Sequence, residues 1–390
     1  MPFSDHVTSD GHSPVSFIEP DKQSARPLAG TGLCLSGGGY RAMVFHLGAF
    51  IRLNEAGLLK KLTRISSVSG GSIAAGMLGM RWKQLNFQND VAANLIEEVI
   101  EPVRTLAGVT IDVGSILRGL FLPGTVSDRV ISAYKEHLFG NATLQDLPAD
   151  NEGPRFVINA TNVQSGVLWR FSKPFMADYL VGMVKNPSVP LAVAVAASSA
   201  FPPVLSPARL NLKPSDFVPD PNCPLQKEPF TTNVVLSDGG VYDNLGLETV
   251  WKQIKTVLVS DGGGKMEPEA EPKGDWARHA IRVAGIVDNQ VRSLRKRLTI
   301  QSFINPADAH DGTYWGIRSH VKDYPLQDPL PCPEDRTLEL AETPTRLQRL
   351  EPERQNRLIN WGYAVCDAAI RSHYQPTPAR PVGFPHPGGV

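Results

Sequence analysis

Cysteine is scarce in this chain and scattered. Cys34, Cys223, Cys332 and Cys366 form no CxxC pair and no Cys/His cluster, which argues against a zinc site or a disulfide framework. A charge of one sign is lacking too. Lysine plus arginine and aspartate plus glutamate both number 39, so the formal net charge is zero. That balance does not suggest a nucleic-acid binder or a protein captured on membranes by bulk charge. Long apolar runs are missing. The longest, VPLAVAVAASSAFPPVL from Val189, is too short and too rich in Ala, Ser and Pro to cross a bilayer. The first residues, MPFSDHVTSDGHSPVSF, have neither the basic start nor the apolar centre of a cleaved secretory signal. The expectation is a soluble, cytoplasmic protein, with signal-less secretion left open.

What is present is an ordinary globular composition. The 390 residues are 42% hydrophobic and 20% charged, enough for a sizeable core. Residues 1–28 are polar and turn-rich and read as a flexible tail, as do the Pro- and Gly-rich residues 376–390. Between them, strand and helix signals alternate. Gly32–Ser36 is a short apolar strand. Arg41–Ala56 is a helix, with Val44, Leu47, Phe50 and Ile51 at helical spacing. TRISSVSGG runs a second strand into a turn, and the small-residue helix SIAAGMLGMRW follows. A helix-rich insertion is expected over 88–140. RFVINATNV and GVLWRFS look like paired strands, and VPLAVAVAASSA like a helix stopped by Pro202-Pro203. TNVVLSDGG reads as a strand, NLGLETVWKQI as a helix and KTVLVSDGGG as another strand. Residues 276–303 and 345–373 are expected to be helical. This alternation predicts an α/β fold, with a mostly parallel central sheet, helices on both faces, a helical insertion and a helical C-terminal extension. One domain is expected over 29–375, with its motifs in 30–265 and a helical part over 266–375.

In open α/β sheets, ligands bind beyond the carboxyl ends of the strands. Three loaded turns fall there. The first is Ser67-Val68-Ser69-Gly70-Gly71. A small residue, any residue, serine, any residue and glycine, set between strand and helix, form the nucleophile-elbow pattern. Ser69 also lies at a helix N-terminus, where free N–H groups favour developing negative charge. Ser67 stands where the pattern usually has glycine. The plainer reading is a turn with Ser69 as helix cap.

The second turn is Gly37-Gly38-Gly39. GGGYRA satisfies the dinucleotide fingerprint G-x-G-x-x-A, with Glu55 as the candidate ribose acid. Against that reading, Glu55 falls inside the first helix, and a serine turn follows where a nucleotide fold has a plain strand. No GK[ST] is present, so a P-loop is excluded. The other reading is an oxyanion hole, because consecutive glycines let several N–H groups point at one oxygen. Arg41 behind them can hold the charge of the loop or of a substrate phosphate.

The third turn is SDGGVYDN. Asp238 ends an apolar strand, and the glycines turn the chain past it. The plainer reading is an Asx-turn or a cap. Asp261, in VLVSDGGGK, has nearly the same setting. It leads into a charged, Pro-bearing loop, whereas Asp238 leads into a helix bearing Asn244.

Taken in order, S-GGG-x-R, small-x-S-x-G and D-G-G resemble the patatin-like acyl hydrolases and the cytosolic phospholipases of the same fold. ASSAFPPVLSP also resembles the Ala/Ser-rich helix and Pro turn before their aspartate strand. The likeness spans about residues 30–265. It implies Ser69 as nucleophile and Asp238 as base, in a dyad without histidine. It also implies an oxyanion hole from Gly37, Gly38, Gly39 and Gly70, with Arg41 at the family's basic position. His46, one residue away from the helix-1 histidine of plant patatins, is expected to pack or hydrogen-bond rather than act as a base.

The implied activity is hydrolysis of lipid ester bonds, without cofactor or metal. The partners implied are a lipid or phospholipid substrate and transient contact with a membrane surface, but no nucleic acid. Residues 113–124 and 174–184 are apolar with Gly or Pro, and fit either a lid or interfacial surface, or core helices. The basic run VRSLRKRLTI reads as a solvated helix face rather than a lipid-headgroup site. Two other readings stay open: an inactive lipid- or partner-binding protein of the same fold, and a dinucleotide-dependent oxidoreductase.

Overall fold

The computed structural model of the protein describes residues 27–111, 126–305 and 310–390. The expected N-terminal tail, apart from its last two residues, and the apolar stretch 113–124 lie outside the described residues.

Four parallel pairings build one side of the sheet. β1 (Leu28–Leu35) lies between β2 (Leu62–Ser67) and β11 (Ile254–Asp261). β12 (Asp311–Gly316) extends the parallel block beyond β11, and β5 (Arg155–Asn162) extends it beyond β2. The rest of the sheet is antiparallel. β6 (Val167–Phe171), β7 (Phe175–Asp178) and β8 (Gly182–Lys185) follow β5 in turn. β10 (Asn233–Asp238) pairs antiparallel with both β5 and β9 (Ala208–Asn211). The expected paired strands over 155–172 are therefore present. Residues 174–184 are not a lid or core helices but the β7–β8 hairpin, with mostly buried strands. Short runs of adjacent Phe, Met and Val, broken by Gly182, suit buried strands better than a helix.

β1 shows why both faces are covered. Leu33 and Leu35 point into the large core with α1 (Gly39–Glu55), while Cys34 points the other way, against Leu245, Val250 and Val259. Cys34 is thus the buried small hydrophobe expected, and burial pushes its thiol pKa up. On the α1 face also lie α2 (Gly70–Arg81) and α5 (Leu191–Ser198). The insertion contributes a short hairpin of β3 (Phe87–Gln88) and β4 (Val91–Ala92), then α3 (Glu101–Ala107) and α4 (Val126–Tyr134). The helix expected over 244–254 is reduced to α7 (Glu248–Trp251), preceded by a separate short helix, α6 (Gly240–Asp243), with Gly246 at φ 69° between them.

The C-terminal part belongs to the same core. α8 (Trp276–Ile304), α9 (Glu334–Ala341) and α10 (Pro352–His373) follow β11. α10 packs on α1 closely enough that a Cβ on Gly48 would meet Ile359 O at 2.0 Å, and one on Gly362 would meet Phe45 O at 1.9 Å. Arg52 of α1 pairs with Asp367 of α10 at 2.8 Å, both buried. The tail expected at 376–390 also packs against the body. Asn360 Nδ2 donates to the carbonyls of His386 and Gly389, both at 2.8 Å, and Val390 is buried. Among the described residues, no helix is long and apolar enough to cross a membrane.

Candidate active site

Two strands meet head to head along one edge of β5. β2 pairs with residues 155–158 of β5, and β10 with residues 160–162. β6 occupies the other edge, so β2 and β10 share a flank and run toward each other. Their carboxyl ends converge, bringing the turn after Ser67 to Asp238. Gly239 makes this approach possible: a Cβ there would lie 2.3 Å from Asn159 O and 3.2 Å from Val68 Cγ1.

Ser69 sits on the turn between β2 and α2 with φ 51° and ψ −120°. Few non-glycine residues adopt such a backbone, and it persists only where surroundings hold it. Here the clamp is Ser198, at the end of α5. Its Oγ accepts the Ser69 N–H at 3.0 Å and donates to Asn159 O at 2.6 Å. Asn159 in turn donates to Ser67 O and Ser66 Oγ, both at 2.9 Å. The plainer expectation of Ser69 as a side-chain cap is not met, because its side chain makes no cap hydrogen bond to α2.

The same end of α5 holds Asp238. Its N–H donates to Ala200 O at 2.9 Å, and the Gly239 N–H donates to Ser198 O at 3.2 Å. Thr161 Oγ1 donates to the Asp238 carbonyl at 2.8 Å. Of the carboxylate oxygens, Oδ1 accepts the Gly240 N–H at 2.7 Å, while buried Oδ2 has no hydrogen-bond partner of good geometry. Burial pushes the Asp238 pKa up to about 7, against the pull of the Gly240 N–H and the nearby Ser69 hydroxyl, with Asp288 adding a like charge. The serine is thus close enough to act on the carboxyl, although no strict hydrogen bond closes between them.

The glycine loop lies over this pair. A Cβ on Gly37 would come 3.1 Å from Ser69 Cβ and 2.6 Å from Asn244 Oδ1. One on Gly70 would come 2.1 Å from Gly39 O, so the loop rests directly on the start of α2. Gly38 and Gly39 have φ 146° and 59°. Among the described residues, the N–H groups of Gly38, Gly39 and Gly70 have no partner, but that of Gly37 donates to Asn244 O at 3.1 Å. Gly37 therefore is not the free donor expected of it; it leaves room beside Ser69.

Arg41 does not face the site. It is 3% exposed, with Nε and Nη2 donating to Gly262 O at 3.2 and 2.9 Å. Nη1 donates to Ala341 O at 2.9 Å and Thr343 O at 2.8 Å. Burial lowers its pKa to about 10. A substrate phosphate cannot reach it, so of the two expectations for Arg41, only holding the loops together fits. Glu55, considered as a ribose acid, sits at the far end of α1, where Tyr363 OH donates to it. His46 is buried, and its Nε2 faces Ser36 O at 3.0 Å. A carbonyl only accepts, so Nε2 carries the proton and Nδ1 accepts from Ser260 Oγ at 2.8 Å. Burial holds its pKa down at about 4, so it is neutral, in line with a hydrogen-bonding role.

Asp261 has a different environment from Asp238. It pairs with Lys296, accepts from Tyr314 OH at 2.7 Å and from the Gly263 N–H at 2.9 Å. Against the cost of burial, the charges of Lys296 and Arg292 hold its carboxyl far below the usual range. Sequence reasoning did not single out Ser198, Asn159 or Asp288. Ser198 was visible in the ASSA run, but only the fold shows what its hydroxyl faces.

A serine on a strained strand-to-helix turn, beside a buried strand-end aspartate and a glycine loop, has the geometry of a nucleophile elbow. A family model described as Patatin-like phospholipase matches residues 33–251, more than half of the chain. The chain belongs to the patatin-like phospholipase family, a family of lipid hydrolases. The fold is similar to that of human GIVD cytosolic phospholipase A2, with a TM-score of 0.51 and 14% identity. That match covers 86% of this chain and 60% of the other. The same enzyme in complex with methyl gamma-linolenyl fluorophosphonate inhibitor and terbium chloride gives a TM-score of 0.50 at 16% identity, covering 87% and 58%. This chain thus spans less than two thirds of those chains. No curated protein matches the sequence.

Proposed function

We propose that the protein is a serine acyl hydrolase that cleaves lipid ester bonds with Ser69 as nucleophile and Asp238 as its base. The observation that carries this reading is the meeting of β2 and β10, which puts a strained serine beside a buried carboxyl with a pKa near 7. A serine hydroxyl is a weak nucleophile until a neighbour takes its proton. A carboxylate with an ordinary pKa is a poor acceptor at neutral pH; one raised to about 7 is suited to both accept and return a proton.

Ser69 Oγ attacks the ester carbonyl carbon, and its proton passes to Asp238 Oδ2. The oxyanion accepts hydrogen bonds from the free N–H groups of Gly38, Gly39 and Gly70, near the positive end of α2. Collapse of the tetrahedral intermediate expels the alcohol or lysolipid with the proton held by Asp238. Water, deprotonated by Asp238, then attacks the acyl-enzyme and frees Ser69. His46 takes no part, since both its ring nitrogens are engaged.

The test uses Ser69→Ala, a short-chain nitrophenyl ester, phosphatidylcholine and a fluorophosphonate probe. Wild type is expected to hydrolyse the esters and to label once, at Ser69. The variant is expected to lose roughly a thousandfold or more in rate and all labelling, with its unfolding midpoint retained. Turnover near wild type in Ser69→Ala would sink the assignment. A wild type that neither labels nor turns over would point to an inactive lipid-binding protein.

A further inference from the structure

α8 has a face that no described residue covers. Among the described residues, Trp276, Val283, Val287, Val291, Leu294 and Leu298 line one side of the helix, all exposed, with Trp276 at 85%, Leu294 at 51% and Leu298 at 56%. Their spacing of three, four or seven residues keeps them on one side of an α-helix. Ile286, Ile300 and Ile304, also exposed, widen that face toward the C-terminal end. The helix has 29 residues and so extends roughly 40 Å. Soluble monomers rarely leave so long an apolar face in water.

Charge narrows what can cover it. Trp276–Ile304 carries six Arg and Lys against one Asp and no Glu, in a chain whose total charge is zero. Several of these cations tie α8 to the body: Arg282 to Glu269, Arg295 to Asp243 and Lys296 to Asp261. Arg297 lies exposed beside the apolar stripe, and its only bond among the described residues is to Ser293 O. A second copy of the helix would set cations against cations. An anionic bilayer offers acyl chains to the stripe and a phosphate to Arg297 beside it, the pattern of a helix that lies in a membrane interface. The position of α8 also fits. It crosses the turn that follows Asp238, with Arg295 3.6 Å from Asp243 and its Nη2 donating to Tyr242 O at 3.5 Å.

We infer that the outer face of α8 docks the protein on an anionic phospholipid surface, beside the turn that carries Asp238. This rests on the acyl-hydrolase reading for its choice of a lipid surface, and adds how the protein meets a substrate held in a bilayer.

The full chain is tested by co-sedimentation with phosphatidylcholine vesicles, with and without phosphatidylserine, and by turnover of the soluble nitrophenyl ester. Wild type is expected to bind the anionic vesicles, less tightly at high salt. Leu294→Glu/Leu298→Glu should weaken that binding by about tenfold or more, because two leucines that enter the bilayer on docking are replaced by charges. Soluble-ester turnover and the unfolding midpoint should not change, since both side chains are exposed. Equal vesicle binding by wild type and variant would overturn the proposal. So would wild type that ignores the vesicles, or a dimer at sedimentation equilibrium that the double variant breaks. Wild type that binds vesicles through Leu294 and Leu298 but turns over no ester would retain the docking surface and reject the hydrolase.

Discussion

The tetrapeptide Ser-Asp-Gly-Gly occurs twice in this chain, at 237–240 and at 260–263, and in both places it ends a strand. The two aspartates are equally buried, yet they have opposite proton affinities. Asp261 ends a strand inside the parallel block, where α8 lays Lys296 against it. Asp238 ends a strand that runs head-on into β2, where it meets a serine turn and backbone, with no cation among the described residues at hydrogen-bonding distance. The difference teaches that a local motif supplies the carboxyl while the neighbouring elements decide its use. One aspartate stays a structural anion. The other is left able to exchange a proton.

Exchanging each carboxylate for its amide should separate the two roles most sharply. Asp238→Asn removes the proposed base, so ester turnover should fall by roughly a hundredfold to ten-thousandfold. Asp261→Asn should lower the unfolding midpoint instead, because a partly buried Lys296 and the Tyr314 hydroxyl lose their anion, at a cost of about 3 kcal/mol. Turnover per folded molecule should change little. Equal activity losses in the two variants would erase the distinction drawn between the strand ends.

The pH dependence tests the same contrast with both residues in place. Asp238 must be ionised to accept the serine proton, so kcat/KM should rise through pH 7 and level off above it. Stability should move the other way at this site. A free aspartate titrates near 3.9, so between about pH 4 and 7 the folded state holds a proton that the unfolded state has lost. Stability therefore falls as pH rises through that window, and Asp238→Asn should be more heat-stable than wild type at pH above 7. Asp261 has the opposite sign, because its folded pKa is depressed. Its contribution is present above about pH 4 and is lost below it. Thermal melts and rate profiles across pH check both signs.

The three loaded turns were legible because each is a short-range pattern of glycine, serine and aspartate at a strand end. The parallel block was legible for the same reason, as strand and helix signals alternate there. What stayed hidden depends on partners distant in sequence. β10 reads as a strand in either direction, and nothing in TNVVLSDGG says that it meets β2 head-on. Arg41 beside three glycines looks like a phosphate ligand until Gly262, Ala341 and Thr343 are seen to take its donors. The helical period of α8 is plain over 276–303, but periodicity does not show which face lacks a cover. Residues 376–390 look loose in composition, yet Asn360 holds them.

The smallest expected effect concerns how the serine is held. Ser198 links both halves of the proposed dyad, its hydroxyl to the Ser69 N–H and its carbonyl to the Gly239 N–H. The Asp261 turn is held differently, with Ser36 Oγ accepting the Gly262 N–H at 2.8 Å and no strained serine beside it. Ser198→Ala keeps the carbonyl, and so keeps Asp238 in place, but removes the acceptor that fixes Ser69 at φ 51°. The turn should then sample geometries in which Oγ points away from the ester. Turnover should fall by about tenfold, with KM and the apparent pKa near 7 unchanged, because substrate contacts and the carboxyl are untouched. Fluorophosphonate labelling should slow by the same factor, since it too needs the Ser69 hydroxyl held in line for attack beside its base. A fall in turnover without slower labelling would mean that Ser198 acts after acylation and does not hold Ser69 for attack.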